Sequence, residues 1–117
     1  MDFYNNNRGR IEIFWAKDKE NWDLSQLNEL FKNKTVYITF DVDGFDSSIM
    51  PATGTPEPGG LLWHDVLPII KKVCQSSNIV GADINELAPI KNFDSYNFLV
   101  AKLAYKILAY TFEFKNY

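Results

Sequence analysis

The chain has 117 residues, enough for one small domain, and 46% hydrophobic with 23% charged residues is typical of a soluble globular protein. Its 12 basic and 15 acidic residues give a formal net charge of −3, which argues against a nucleic-acid partner, since such partners require a clustered basic face. The amino terminus lacks the pattern of a signal peptide, and no apolar run approaches the ~20 residues that cross a bilayer. These features predict a cytoplasmic protein with no membrane partner.

The single cysteine, Cys74, excludes an internal disulfide and a cysteine-rich zinc site. It lies in an apolar run, which predicts a buried and unreactive thiol.

Strands and helices are predicted to alternate after a polar lead-in at residues 1–10, so that one domain covers residues 11–117. The predicted elements are a strand at 11–15, a helix beginning at Asp23, a strand at 36–40, a helix at 63–75 with Pro68 in its first turn, a strand at 78–84 and a helix at 93–114. Such alternation predicts an α/β fold, with a parallel sheet between helical layers in a three-layer αβα arrangement.

A long irregular segment, residues 41–61, follows the second predicted strand and is rich in proline and glycine. Connections of this length without secondary structure are uncommon and are usually functional. In open parallel sheets, ligands also bind beyond the carboxyl ends of the strands. The segment is therefore the first place to look for a site.

Two carboxylates, Asp41 and Asp43, stand at the start of this segment. Residues two apart on an extended chain point the same way, and neighbouring carboxylates repel unless a cation neutralises them. Oxygen ligands favour Mn or Mg, so the pair predicts a divalent metal site. An isolated D-x-D is, however, more often a loop cap followed by an Asp-Gly turn.

The surrounding residues closely resemble the ureohydrolase family, which includes arginases, agmatinases and formiminoglutamases. The resemblance is carried by T-F-D-V-D-G-F-D at 39–46, P-A-T-G-T-P-E-P-G-G at 51–60, D-I-N-E-L-A-P at 83–89 and F-L-V-A-K-L-A-Y-K-I at 98–107. It covers nearly the whole chain from Ile11 onward, in the form common among agmatinases. The resemblance implies the C-terminal part of an arginase-like fold.

The resemblance also implies roles for individual residues in a Mn-dependent hydrolase that releases urea from an agmatine- or arginine-type guanidino substrate. Asp41 would bridge two Mn ions and Asp43 would bind one of them, as catalytic metal ligands. Thr55 would line the substrate pocket, and Glu86 would pair with the guanidinium group through parallel charge-assisted hydrogen bonds. Metal ions would lower the pKa of a bridging water to supply hydroxide near neutral pH.

The family's metal site also uses G-G-D-H and D-A-H-x-D motifs, neither of which occurs in this chain. Two carboxylates cannot provide the ~6 ligands that each oxygen-preferring ion requires. We therefore expect the chain alone to be inactive. It could be a fragment, one half of a split enzyme, or a non-catalytic remnant that acts as an interaction module. We also expect the isolated chain to self-associate, because half a sheet leaves an open edge and exposed apolar surface. Its expected partner is therefore either another copy of the chain, in a homo-oligomer, or the missing N-terminal half.

Several other polar residues are assigned ordinary structural roles. Asp46 is predicted to accept hydrogen bonds that stabilise the loop, and Ser47 departs from the proline common in the family. The lone histidine, His64, is predicted to be a solvent-facing or capping residue, and Glu57 a loop residue. A response-regulator receiver domain is a further alternative, but it has no counterpart to the Gly/Pro-rich segment.

Overall fold

The computed structural model describes residues 2–7 and 9–115. Its elements are α1 (Asp2–Asn6), a 3₁₀ helix (Ala16–Asn21), α2 (Ser25–Phe31), β1 (Thr35–Asp41), a 3₁₀ turn (Val42–Gly44), α3 (Trp63–Ser76), β2 (Asn78–Asn85) and α4 (Asp94–Glu113). Among these described residues, no helix combines the length and apolarity that a membrane crossing requires.

Strands β1 and β2 pair in parallel, with Asp41 opposite Asn85 at their carboxyl ends. One face of the pair packs on the core through side chains that include Phe40 and Ile84. The opposite face carries Tyr37 and is exposed. The predicted α/β class, with parallel strands joined through a helix, is confirmed.

The predicted strand at residues 11–15 is wrong. Apart from an isolated bridge at Ile11, these residues have no regular structure, and Trp15 is 56% exposed. A strand exists only through hydrogen bonds to a neighbour, and within the described residues β1 has β2 as its one sheet partner. The composition of residues 11–15 fits a strand, but composition alone does not provide the neighbouring strand that pairing requires.

Helix α3 confirms the helix predicted at 63–75, but Pro68 lies in its second turn and not in the first. Proline has no backbone N–H, so it cannot bond to the carbonyl of His64 four residues earlier. Both side chains are exposed, and the prediction that His64 faces solvent is confirmed.

The core is built largely from the irregular segment itself. Val42, Phe45, Met50 and Ala52 are completely buried. The helices complete this core with Val66, Ile70, Val73 and Cys74 from α3, and Leu103 and Ile107 from α4. The segment between β1 and α3 is therefore held by hydrophobic burial at several points along its length, although it has almost no regular structure.

The predicted burial of Cys74 is confirmed, since its residue is 3% exposed. Burial raises the pKa of its thiol, which keeps the side chain in the unreactive protonated form.

Candidate functional site

The two predicted ligands occupy the carboxyl end of β1. Asp41 is the last residue of the strand and is exposed, and Asp43 lies in the 3₁₀ turn that follows. The assumption of an extended chain through both residues is wrong, because the chain turns at Val42. Val42 is completely buried between them, so it anchors the turn while the flanking carboxylates remain accessible.

The structure brings Thr55 to Asp43. The Thr55 hydroxyl donates a hydrogen bond of 2.6 Å to Oδ2 of Asp43. The two residues are 12 positions apart, so the contact folds the P-A-T-G-T-P stretch back over the strand end. A hydrogen bond to a carboxylate is charge-assisted and fixes the orientation of the acceptor.

Glu86 follows β2 directly and has a left-handed backbone, with φ of 67°. The same edge is tied to the irregular segment by a bridge between Thr53 and Leu87 and by a 2.8 Å bond from the Ala88 N–H to the Ala52 carbonyl. Within the described residues, no hydrogen bond links Glu86 to the other three predicted site residues. All four nevertheless lie at the carboxyl ends of the two adjacent strands.

A polar network on the exposed sheet face was not predicted. Asp83 accepts hydrogen bonds from the Thr39 hydroxyl at 2.7 Å and from the Asn85 side-chain amide at 2.5 Å. These bonds, led by that of Thr39 and joined by one from Tyr37, lower the pKa of Asp83. The bond from Tyr37 to Asp83 in turn raises the pKa of that phenol. The available sequence signal was the polar residue at every second position of β1 and the Asp83 and Asn85 pair at the end of β2.

As predicted, Asp46 accepts hydrogen bonds that stabilise the irregular segment. These bonds join its two limbs, the part that leads away from β1 and the part that returns to α3. Its carboxylate accepts the backbone N–H of Ser48 at 2.9 Å and that of Gly59 at 2.7 Å. Hydrogen bonds from Ser48 first, and then from Gly59, lower the pKa of Asp46 to about 2. Glu57 is exposed, and its carbonyl accepts the N–H of Ser47, which fits the predicted loop role.

The segment is closed at its base by a short backbone pairing that we call the neck, residues 44–46 with 59–61. The N–H of Asp46 donates to the Leu61 carbonyl at 2.9 Å, and the N–H of Leu61 donates to the Gly44 carbonyl at 3.0 Å. Gly60 is required here, since a Cβ at this position would lie 2.6 Å from the backbone N of Asp46 and from the backbone C of Phe45.

A charged pair lies beside the neck. Nζ of Lys19, from the 3₁₀ helix, is 2.7 Å from Oδ2 of Asp65 and 3.5 Å from the Gly60 carbonyl oxygen. The same Asp65 oxygen accepts the N–H of Leu62 at the start of α3. The bond between the two side chains lowers the pKa of Asp65 and raises that of Lys19.

The donors at the strand end fit a divalent metal in kind and not in number. Carboxylate oxygens suit Mn and Mg, yet Asp41 and Asp43 supply only part of a six-ligand shell. In the part of the chain that the structure describes, no group of three or more His, Cys, Asp or Glu side chains could hold a metal ion.

The Arginase family model matches residues 3–110 of the chain. N(1)-aminopropylagmatine ureohydrolase of Synechocystis sp. is 41% identical over 103 residues, which are 86% of this chain and 33% of that protein. The chain thus spans about a third of the length of this relative.

Solved structures share the fold. Agmatine ureohydrolase of Thermoplasma volcanium aligns with a TM-score of 0.75 and 30% identity, over 94% of this chain and 38% of that one. Proclavaminate amidino hydrolase from Streptomyces clavuligerus aligns with a TM-score of 0.78 and 24% identity, over 92% and 38% of the two chains. The predicted arginase-like fold is confirmed.

Proposed function

Since this chain belongs to the arginase family, we propose that it is the C-terminal part of a metal-dependent ureohydrolase that cleaves a linear guanidino compound and releases urea. The proposed substrate is of the agmatine or arginine type. Agmatine-type amines, including aminopropylated ones, are favoured because the relatives include agmatinases and an aminopropylagmatine ureohydrolase. The proposed location is the cytoplasm.

One observation carries the proposal: the 2.6 Å hydrogen bond between Thr55 and Asp43. It joins the two parts of the D-V-D-G and P-A-T-G-T-P pattern at the carboxyl end of a parallel strand, where α/β proteins bind ligands. The pattern is therefore supported by a contact in space as well as by spacing along the chain.

In the proposed site, Asp41 and Asp43 are Mn ligands, and the remaining ligands come from residues beyond those of this chain. Bound metal ions would supply an activated water as the nucleophile. Thr55 would hold the Asp43 carboxylate in one orientation through its hydrogen bond. Glu86, exposed at the next strand end, would orient the guanidinium through a bidentate ion pair, which suits a planar cation.

The test is complementation. The chain would be co-expressed with the first two thirds of the Synechocystis relative, and urea release from agmatine, aminopropylagmatine and arginine would be measured with added Mn²⁺. We expect urea from the pair and none from the chain alone. Asp41→Asn and Asp43→Asn should each abolish activity, whereas Asp18→Asn, on the exposed 3₁₀ helix, should retain it.

Two outcomes would contradict the proposal. Urea release by the chain alone would show that it already carries every ligand that catalysis needs. Full activity of the complemented Asp41→Asn and Asp43→Asn variants would show that these residues are not metal ligands.

A non-catalytic interaction module is the second candidate. It is favoured by the large exposed apolar side chains of α4, among them Phe98 and Phe112. A folded complex with the N-terminal segment that releases no urea from any guanidino substrate would support this alternative.

A further inference from the structure

The contact between the irregular segment and the end of β1 involves two parts of the segment, its tip and its base. At the tip, Thr55 contacts Asp43. At the base, the neck brings Asp46 and Leu61 together through backbone hydrogen bonds. Burial of Met50 and Ala52 and the bridge from Thr53 to Leu87 hold the middle of the segment, and the neck holds its two limbs together at the base. The residues between these points have almost no regular structure, so the position of Thr55 depends on the neck as well as on the buried anchors.

The neck is closely packed on its inner side. Phe45 is completely buried, with its ring 5.1 Å from that of Phe40 and 6.3 Å from that of Trp63, measured between centroids. Gly60 allows the limbs to approach so closely that a methyl group would not fit. Small changes at the neck are therefore transmitted to the backbone of both limbs.

Lys19 contacts the neck from a distant part of the sequence. Its ammonium group bonds to Asp65, 46 residues away, and approaches the Gly60 carbonyl. Asp65 accepts the N–H of Leu62 with the same oxygen, so the pair reaches the backbone on the C-terminal side of the neck. The charge of Asp46, on the other limb, also acts on Lys19 and contributes to the rise in its pKa.

We propose that Lys19 is a positioning residue that locks the neck of the 44–61 segment and thereby holds Thr55 on Asp43. This inference rests on the proposed function for its importance to catalysis. The contact itself is a property of the chain alone. Lys19 touches neither of the proposed metal ligands, so it acts only through the segment.

The experiment compares Lys19→Met with Lys19→Arg, which keeps the charge and the donors. Lys17→Met, a change to an exposed lysine on the same 3₁₀ helix, is the matched control. Amide hydrogen exchange at Asp46 and Leu61 reports opening of the neck. We expect Lys19→Met to accelerate exchange at these amides by about tenfold, as for local opening of a loop, and the other two variants to match wild type.

The second readout follows the Thr55 bond directly. The carboxyl ¹³C resonance of Asp43 would be recorded in each variant, with Thr55→Val marking the position of the signal when the bond is absent. Lys19→Met should move the signal toward the Thr55→Val position, and Lys19→Arg should restore it. General loss of stability would not produce this shift while the chain remains folded.

An unchanged Asp43 signal in folded Lys19→Met would overturn the inference, even if the neck amides exchange faster. Wild-type exchange at the neck in Lys19→Met would overturn it as well. Neither readout needs metal or substrate, so a failed complementation assay would reject the proposed hydrolysis and leave this result standing.

Discussion

Asp46 illustrates how a single carboxylate can organise an irregular segment. Its two oxygens accept backbone N–H groups from opposite limbs, at Ser48 and Gly59. These donors favour the ionised form and lower the pKa to about 2 from the ordinary value of 3.8. A group with a lowered folded-state pKa stabilises the fold above its unfolded pKa, and this stability is lost as the pH falls through the folded value.

We therefore expect wild type to lose stability between about pH 4 and pH 2 more steeply than Asp46→Asn, which cannot ionise. Asp46→Asn should also melt at a lower temperature at pH 7, because the charged acceptor is gone. Thermal unfolding followed by circular dichroism across this pH range measures both effects. Parallel curves for the two proteins would show that Asp46 is not the responsible group.

Gly60 makes a second residue-scale prediction. Its missing Cβ leaves room for the backbone of Phe45 and Asp46, both at about 2.6 Å from the position that a methyl carbon would take. Gly60→Ala must move backbone atoms, and we expect it to destabilise the chain by about 1–3 kcal/mol, as overpacking commonly does. Gly54→Ala is the matched control, since no atom lies within 4 Å of a Cβ built there. Urea unfolding that gives equal stabilities for the two variants would argue against a tight neck.

Helix α4 has apolar side chains on two sides, one buried and one exposed. Leu103 and Ile107 are buried in the core, whereas Phe98, Tyr105, Leu108 and Phe112 are between 57% and 69% exposed. The exposed residues recur at spacings of seven, three and four, which places them along one stripe of the helix. The helix therefore has one apolar side inside the core and a second one open to solvent.

Leu103→Ala should cost about 2–5 kcal/mol of unfolding free energy, the usual range for a completely buried leucine. Leu108→Ala, on the exposed stripe, should cost much less, because its side chain is already in water. Urea denaturation of both variants checks the assignment. Similar losses would mean that α4 packs in a different orientation in solution.

The whole molecule is less compact than its length predicts. The radius of gyration is 15.1 Å, against about 13.4 Å expected for a domain of this length. The accessible surface is 8104 Å², against about 6,500 Å² expected for a monomer of this mass. The excess, about 1,600 Å² on one chain, is about twice the ~800 Å² that each partner buries in a protein interface of standard size.

We therefore expect the chain to self-associate at micromolar concentration, as was predicted from the open sheet edge and the exposed apolar surface. Replacing Phe98 and Leu108 with lysine should shift light-scattering masses toward the monomer, because it puts charge into the exposed stripe of α4. Lys102→Gln on the same helix should not. A clean wild-type monomer by gel filtration with light scattering would contradict this expectation.

The sequence by itself determined most elements and the family. Three predicted elements have nearly the predicted bounds, because local periodicity encodes which face is buried. They are the strand at 36–40, the amphipathic helix at 63–75 and the long apolar helix at 93–114. The T-F-D-V-D-G-F-D and P-A-T-G-T-P stretches carried the resemblance to the family that matches residues 3–110.

Tertiary structure alone decided what depends on partners distant in sequence. Residues 11–15 had the composition of a strand but, in the part of the chain that the structure describes, they pair with no strand beyond the isolated bridge at Ile11. Lys19 contacts a residue 46 positions away, and Thr55 returns to Asp43 across 12. Periodicity reports how a residue relates to its own helix or strand. Hydrogen bonds across a loop depend on where the chain returns, and burial of Val42, Phe45 and Met50 fixes that return only in the folded molecule.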